Sequence, residues 1–290
     1  MIREYLSTPR IRLGIQRFGY IFLTLIAAAT LIPVLAIVVH IFIEGISTIT
    51  WDFLTGYPRD GMRAGGIFPA IIGTLLLTIG TALFSIPISL GAAIYLAEYA
   101  PDNRWTRMIR IAIINLAGIP SVVYGLFGLG LFVIFLQFGT SILAGCLTLS
   151  IMTLPVFIST AEEAMRTVPR SFRVVSISLG ASQWQTIRRI VLPQAQPGIL
   201  TGIILGLERA VGETAPILFT TAAFFLPQLP NSPFDATMAL PYHLFVISTQ
   251  IPGMPLNLQY GTALVLLLFI LGMNILATII RSKARAKRQW

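Results

Sequence analysis

Glu208, Arg209 and Glu213 stand in the middle of an otherwise apolar segment, Ile199–Ala222. Arg209 comes about eleven residues after Gly198, which is about 16 Å along a helix that rises 1.5 Å per residue. If the segment crosses a bilayer, that depth is close to the midplane. A charge there costs about 2.5–3.5 kcal/mol even on the mildest insertion scale. Such residues face a protein interior or an aqueous path. Arg209 and Glu213 are four apart, so on a continuous helix they share a face and can pair. Glu208 points about 100° away from Arg209 and needs a different neighbour. Pro216 continues the Arg209–Glu213 stripe, and Thr214, Thr220 and Thr221 add hydroxyls. Two readings stay open and are compatible. One is a structural ion pair that locks the segment to its neighbours. The other is a polar translocation path for an anion, with Arg209, Glu213, Glu208 and Thr214 along it. The arginine fork matches the oxygens of a tetrahedral oxyanion.

Other chemistries are excluded by what the chain lacks. A phosphate-cradling GxxxxGK[ST] loop needs a lysine. The only lysines are Lys283 and Lys287, at the C-terminal end. The chain is therefore expected not to hydrolyse ATP in that way. The two histidines, His40 and His243, form no HExxH pattern. His40 reads as an interfacial residue near a helix end. The one cysteine, Cys146, lies in an apolar stretch and reads as a small buried side chain. No catalytic residues and no metal site are expected, and no cofactor bound by this chain.

The elements that must position the charged segment follow from hydropathy. Of 290 residues, 56% are hydrophobic and 11% charged, and the mean hydropathy is +0.83. Soluble domains carry about 25% charged residues. Lipid must cover much of this surface. A span needs about 20 apolar residues. Six segments qualify: Phe18–Ile43, Ile67–Ala97, Ile111–Gln137, Thr140–Thr160, Ile199–Ala222 and Leu258–Ile280. The first is too long for a signal-peptide core. Prolines 33, 87, 120, 155 and 216 lie inside these runs.

The formal charge of +9 is clustered between the apolar runs, which is the pattern of membrane-flanking residues and argues against nucleic-acid binding. One side collects the N-terminal arginines (Arg3 among them), Arg104, Arg107, Arg110, Arg166, Arg170, Arg173, Arg188, Arg189 and the basic tail with Lys287 and Arg288. The other holds only Arg59 and Arg63 among acids. This predicts that both termini lie in the cytoplasm of a multi-pass membrane protein. Residues 1–17 then form a cytoplasmic segment, 18–280 a six-helix transmembrane domain, and 281–290 a basic cytoplasmic tail. Two long loops are expected, a cytoplasmic one at 159–198 and an outer one at 227–257. Within the outer loop, Thr237–Thr249 is apolar but short, and is expected to lie along the membrane surface. On the fifth segment Gly198, Gly202, Gly206 and Ala210 recur every four residues. Small residues at that spacing let helices approach closely, so this is a packing seam.

The cytoplasmic loop carries a further pattern. In LGASQWQTIRRIVLPQAQPG (179–198), Trp184, Ile187 and Val191 make an apolar stripe on a short helix that breaks at Pro193. Gly180, nine residues, then Ile190, Leu192 and Pro193 resembles the EAA loop of binding-protein-dependent ABC importer permeases, EAAxxxG, nine residues, IxLP. The second half matches. Val174, Val175 and Ser176 stand where Glu-Ala-Ala is expected. ERAVGETAPILF (208–219) and VPRSFR (168–173) resemble the permeases of phosphate-specific systems within that family.

The resemblance implies an all-α, six-helix, type I importer (MetI-like) fold. It implies a heterodimer with a PstC-like permease, a PstB-like ABC ATPase dimer that uses ATP and Mg, and an extracytoplasmic PstS-like phosphate-binding protein. It further implies that a helix near Ser182–Arg189 docks on the ATPase, with Gly180, Ala181, Ser182, Trp184, Ile187 and Arg188 in the coupling contact. Sulfate, molybdate or phosphonate remain open as cargo at this stage. So does a self-contained transporter or channel.

Overall fold

A computed structural model describes residues 9–286, with side chains for 16–283. The N-terminal Arg3 and the C-terminal Lys287 and Arg288 lie outside the described residues. The described residues are mostly helical. In order, the helices are α1 (Pro9–Gly45), α2 (Trp51–Thr55), α3 (Phe68–Ile94), α4 (Arg104–Ala117), α5 (Ser121–Gly128), α6 (Ile142–Arg166), α7 (Arg170–Ser178), α8 (Gln183–Thr186), α9 (Leu192–Gly212), α10 (Ala215–Thr220), α11 (Leu240–Thr249) and α12 (Leu256–Ala286). A two-stranded hairpin, β1 (Pro58–Arg59) with β2 (Ala64–Gly65), lies between α2 and α3. Wider π-turns extend α3 over Tyr95–Tyr99 and α5 over Leu129–Phe135, and join α8 to α9 over Ile187–Val191.

Among the described residues, five helical stretches are long and apolar enough to cross a membrane: Gln16–Thr48, Phe68–Tyr99, Ile142–Arg166, Gln183–Gly212 and Leu256–Lys283. A sixth is the pair Arg104–Ala117 and Ser121–Phe135, bent by 98°. The expected third span is therefore broken rather than straight. Its cause is Pro120. A proline ring clashes with the carbonyl four residues back, here Leu116, and α4 ends one residue later. The same rule ends α9. Pro216 lies four after Gly212, and the helix stops at Gly212. Pro216 then starts α10, where its missing N–H leaves no bond unmade. The continuous span Ile199–Ala222 is thus corrected to two helices with Glu213 and Thr214 in the break.

Three further expectations change. The first helix starts at Pro9 and the last runs to Ala286, so the helices intrude on the terminal segments 1–17 and 281–290. The arm 159–198 is mostly helix, not loop: the end of α6, then α7, then a helix that passes Pro193 without breaking. The π-turn at Ile187–Val191 absorbs the proline there. The apolar stretch 237–249 does not lie on a surface. Leu240, Val246 and Ile247 of α11 are at most 1% exposed, and Tyr242 and His243 are buried beside them. This face of α11 finds its cover inside the bundle, where the Leu240 amide donates to Thr74 Oγ1 of α3 at 2.8 Å, while Phe245, Ser248 and Thr249 stay exposed.

The core is the α3–α6 pair with α9 and α11 against it. Small residues make this possible. A Cβ on Gly198 would come within 2.5 Å of Ala164 Cβ; one on Gly202 would strike Thr160, and one on Gly206 the Phe157 ring. All three partners are on α6. Ala210, on the same stripe, is 4% exposed. The outer faces of α1 are apolar and bare, with Leu23 and Ile32 both 63% exposed. Such a surface belongs in lipid.

Candidate functional site

The break after α9 defines the site. Glu213 is the residue that leaves the helix, with extended backbone (φ −76°, ψ 131°). Its carboxylate still returns to the last turn. Arg209 Nε donates to Glu213 Oε1 at 3.4 Å. The two side chains differ in cover: Arg209 is 38% exposed and Glu213 16%. Pairing therefore leaves the guanidinium with free donors on the bundle surface. Thr214 follows at the start of α10 and is half-buried.

Around Arg209 the polar groups come from a neighbour that the sequence did not single out. Tyr124 of α5 lies within electrostatic reach of the Arg209 charge. Its hydroxyl donates to the Leu116 carbonyl at 2.7 Å. That carbonyl is one of the acceptors freed where Pro120 stops α4. The phenol thus covers one break while lying near the charge at the other. A tyrosine in the apolar stretch after a proline was the available signal.

Glu208 faces away, as the 100° rotation requires. It faces the Asn274 side chain of α12, and its Oε1 is buried without a partner. It does not join the Arg209–Glu213 pair. Behind Glu213 there is a chamber lined by Thr74, Thr78, Leu149, Val211 and Pro241, with a volume of about 10 Å³. That is room for about one water molecule. A tetrahedral oxyanion does not fit there, so any anion that meets Arg209 does so from the exposed side.

The arginine-rich arm is the second candidate region. Ser182 caps α8 by accepting from the Gln185 amide, while Gln185 Oε1 accepts from the Ser182 amide. Gly180 has φ +86°, which an L side chain rarely adopts. Its amide donates to the Ile177 carbonyl and that of Ala181 to the Ser176 carbonyl, closing α7. Trp184 is 51% exposed and Arg188 is exposed, whereas Ile187 is 1% exposed. Ile187 is therefore corrected from a surface contact to a core residue. In its place the end of α7 offers apolar side chains to which the sequence reading gave no contact role: Val174, Val175 and Ile177, with Leu179 just after the helix, are all exposed.

Broken and continuous spans around a charged helix end, with a polar arm on one side, define a polytopic membrane permease. Residues 85–286 match the family model described as binding-protein-dependent transport system inner membrane component. The chain belongs to that family. It is 34% identical over 264 residues to the probable ABC transporter permease protein YqgI of Bacillus subtilis, covering 85% of this chain and 90% of the relative. It is 36% identical over 227 residues to phosphate transport system permease protein PstA 1 of Mycobacterium tuberculosis, covering 78% of this chain and 73% of that protein. Among solved structures, a chain of a bacterial ABC transporter involved in the import of the acidic polysaccharide alginate superposes with a TM-score of 0.64 at 14% identity, over 94% of this chain and 99% of that one. At that identity the likeness concerns the fold alone. The resemblance read from the arm and from the 208–219 segment is borne out at the level of the family.

Proposed function

We propose that this chain is a permease subunit of an ATP-driven importer and forms, with a second, PstC-like permease, the path for inorganic phosphate. The observation that carries this is the guanidinium of Arg209, held by Glu213 at a helix break within the membrane spans and left 38% exposed. An exposed arginine at that depth needs a polar neighbour, and a facing permease supplies one. The cargo follows from the relatives that are named phosphate permeases. In this reading both termini and the arginine-rich arm are cytoplasmic, by the positive-inside rule.

The arm docks on a PstB-like ATPase dimer, which holds the ATP and Mg. Its contact surface is the apolar end of α7 with Trp184. Gly180, Ala181 and Ser182 shape the turn between α7 and α8, and Arg188 flanks it. A PstS-like binding protein delivers phosphate on the other side. ATP binding closes the ATPase and moves the arm, and the bundle rocks between two states. Arg209 attracts the anion. Glu213 competes for the guanidinium and keeps binding weak enough for release. Glu208 anchors α9 to α12 through Asn274.

The test is reconstitution in proteoliposomes. Phosphate uptake is measured for this chain alone, and for the chain with second permease, ATPase, ATP and binding protein. Uptake is expected only with the full set and is expected to resist competition by sulfate and molybdate. Uphill uptake by the chain alone would sink the proposal.

A further inference from the structure

The cytoplasmic end of α3 is gripped in an unusual way. Its last turn, Tyr95–Tyr99, is a π-turn, a form that is rare and frequent at functional sites. Three elements hold that turn. From α7, Arg173 Nη2 donates to Glu98 Oε1 at 2.6 Å and Nε to Oε2 at 3.0 Å. From α8, Gln183 Nε2 donates to the Glu98 carbonyl at 2.8 Å. From α4, Arg110 Nη2 donates to the Leu96 carbonyl at 2.9 Å. Arg173 also donates to the Val168 and Met165 carbonyls at 2.7 and 2.9 Å, so one guanidinium ties α7, the end of α6 and α3. Glu98 is the more covered partner, 7% exposed against 20%. The pair edges an open polar cleft of about 560 Å³ that Arg110, Arg166 and Arg170 also line.

The other end of α3 meets different machinery. The helix spans 27 residues, about 40 Å at 1.5 Å per residue. At its far end Thr74 accepts from the Leu240 amide of α11, and Gly73 abuts the Met238 carbonyl. Thr74 and Thr78 also line the small chamber behind Glu213. One helix, continuous through Pro87, therefore joins the arm to the outer helix α11 and to the break that carries the arginine pair.

We propose that Glu98 is a positioning residue that couples transport: it makes α3 move with the arm, so that a stroke at α7 reaches α11 and the Arg209–Glu213 break through α3. This rests on the importer reading above. Glu98 does two things at once. Its carboxylate fixes the arm to α3 through Arg173, and its backbone carbonyl fixes the α8 end through Gln183. Without the carboxylate only the Gln183 bond ties the arm to this turn, and α3 lags behind the stroke.

The test uses the full complex in proteoliposomes with ATP, the phosphate-binding protein and inorganic phosphate. Glu98→Gln keeps the size and removes the charge. ATP hydrolysis is expected to stay near the wild-type rate. Phosphate taken up per ATP hydrolysed is expected to fall by about 5- to 150-fold, the range of a typical coupling between sites. Stimulation of hydrolysis by the loaded binding protein should fall with it. An unchanged uptake-to-hydrolysis ratio overturns the proposal. If Glu98→Gln fails to assemble, Gln183→Leu decides instead: a lowered ratio supports the coupling role and an unchanged one overturns it. A wild-type complex that hydrolyses ATP and imports no phosphate would sink the functional reading rather than this one.

Discussion

Gly206 offers a test of the packing that aims the charged end of α9. A Cβ at this position would fall on the Phe157 ring of α6, which is 1% exposed and cannot turn away into open space. The same substitution at Gly272, on α12, meets nothing within 4 Å. Both glycines lie inside long helices, so the gain in helix propensity from Gly to Ala, about 1 kcal/mol, is common to the two. It cancels in the comparison. What remains is the cost of forcing a carbon into a filled interface, about 1–3 kcal/mol. With about 2–4 °C per kcal/mol for chains of this size, Gly206→Ala should melt roughly 2–12 °C below Gly272→Ala. The assay is thermal unfolding of the purified complex in mild detergent, followed by loss of the monodisperse peak after heating. Phe157→Leu makes room on the α6 side, so Gly206→Ala should cost less in that background. Equal melting of the two alanine variants, or no coupling with Phe157→Leu, would refute the argument that the α6–α9 contact sets the position of Arg209.

Further outcomes follow from the same geometry. His243 is buried at 3% exposure, and burial pushes its pKa down to about 4 from 6.5. The folded chain keeps the ring neutral where the unfolded chain takes a proton, so stability is full above about pH 6.5 and falls as the pH drops from there towards 4. Melting curves between pH 4 and 8 should show this slope, and His243→Gln should flatten it. Gly180→Ala places a side chain at φ +86° and should cost about 1–2 kcal/mol, visible as faster proteolysis of the arm at unchanged phosphate selectivity. Trp184→Glu should weaken copurification of the ATPase while leaving the permease pair intact. Ile187→Glu, which puts a carboxylate into the core, should instead reduce the amount of folded chain recovered from membranes.

The spans were legible because lipid imposes a simple rule: an apolar run of the right length must become helix. The seam of Gly198, Gly202, Gly206 and Ala210 was legible for a related reason, since spacing by four defines one face. The two breaks follow from local chemistry, because Pro120 and Pro216 each reject the carbonyl four residues back. Counting residues across the apolar run obscured them. Glu213 was therefore placed on a helix it leaves, yet its pairing with Arg209 survives because the side chain turns back. The burial of α11 could not be read from its composition, which suits a surface helix as well as a core one. The grip on the π-turn was out of reach for another reason. Glu98 and Arg173 are 75 residues apart in sequence, and no pattern of charges states which arginine of many meets which acid. Tyr124 and Asn274 lie beside the charged segment only once the bundle has closed.

The account stands or falls on Arg209 as the group that meets phosphate between the two permeases. The decisive measurement is ATP-dependent phosphate uptake by the assembled complex carrying Arg209→Gln, with subunit composition checked on the same sample. Uptake is expected to fall by about tenfold or more, as for loss of a charge-assisted contact of about 1.5–3 kcal/mol, with all subunits present. Undiminished uptake by a fully assembled complex would contradict it.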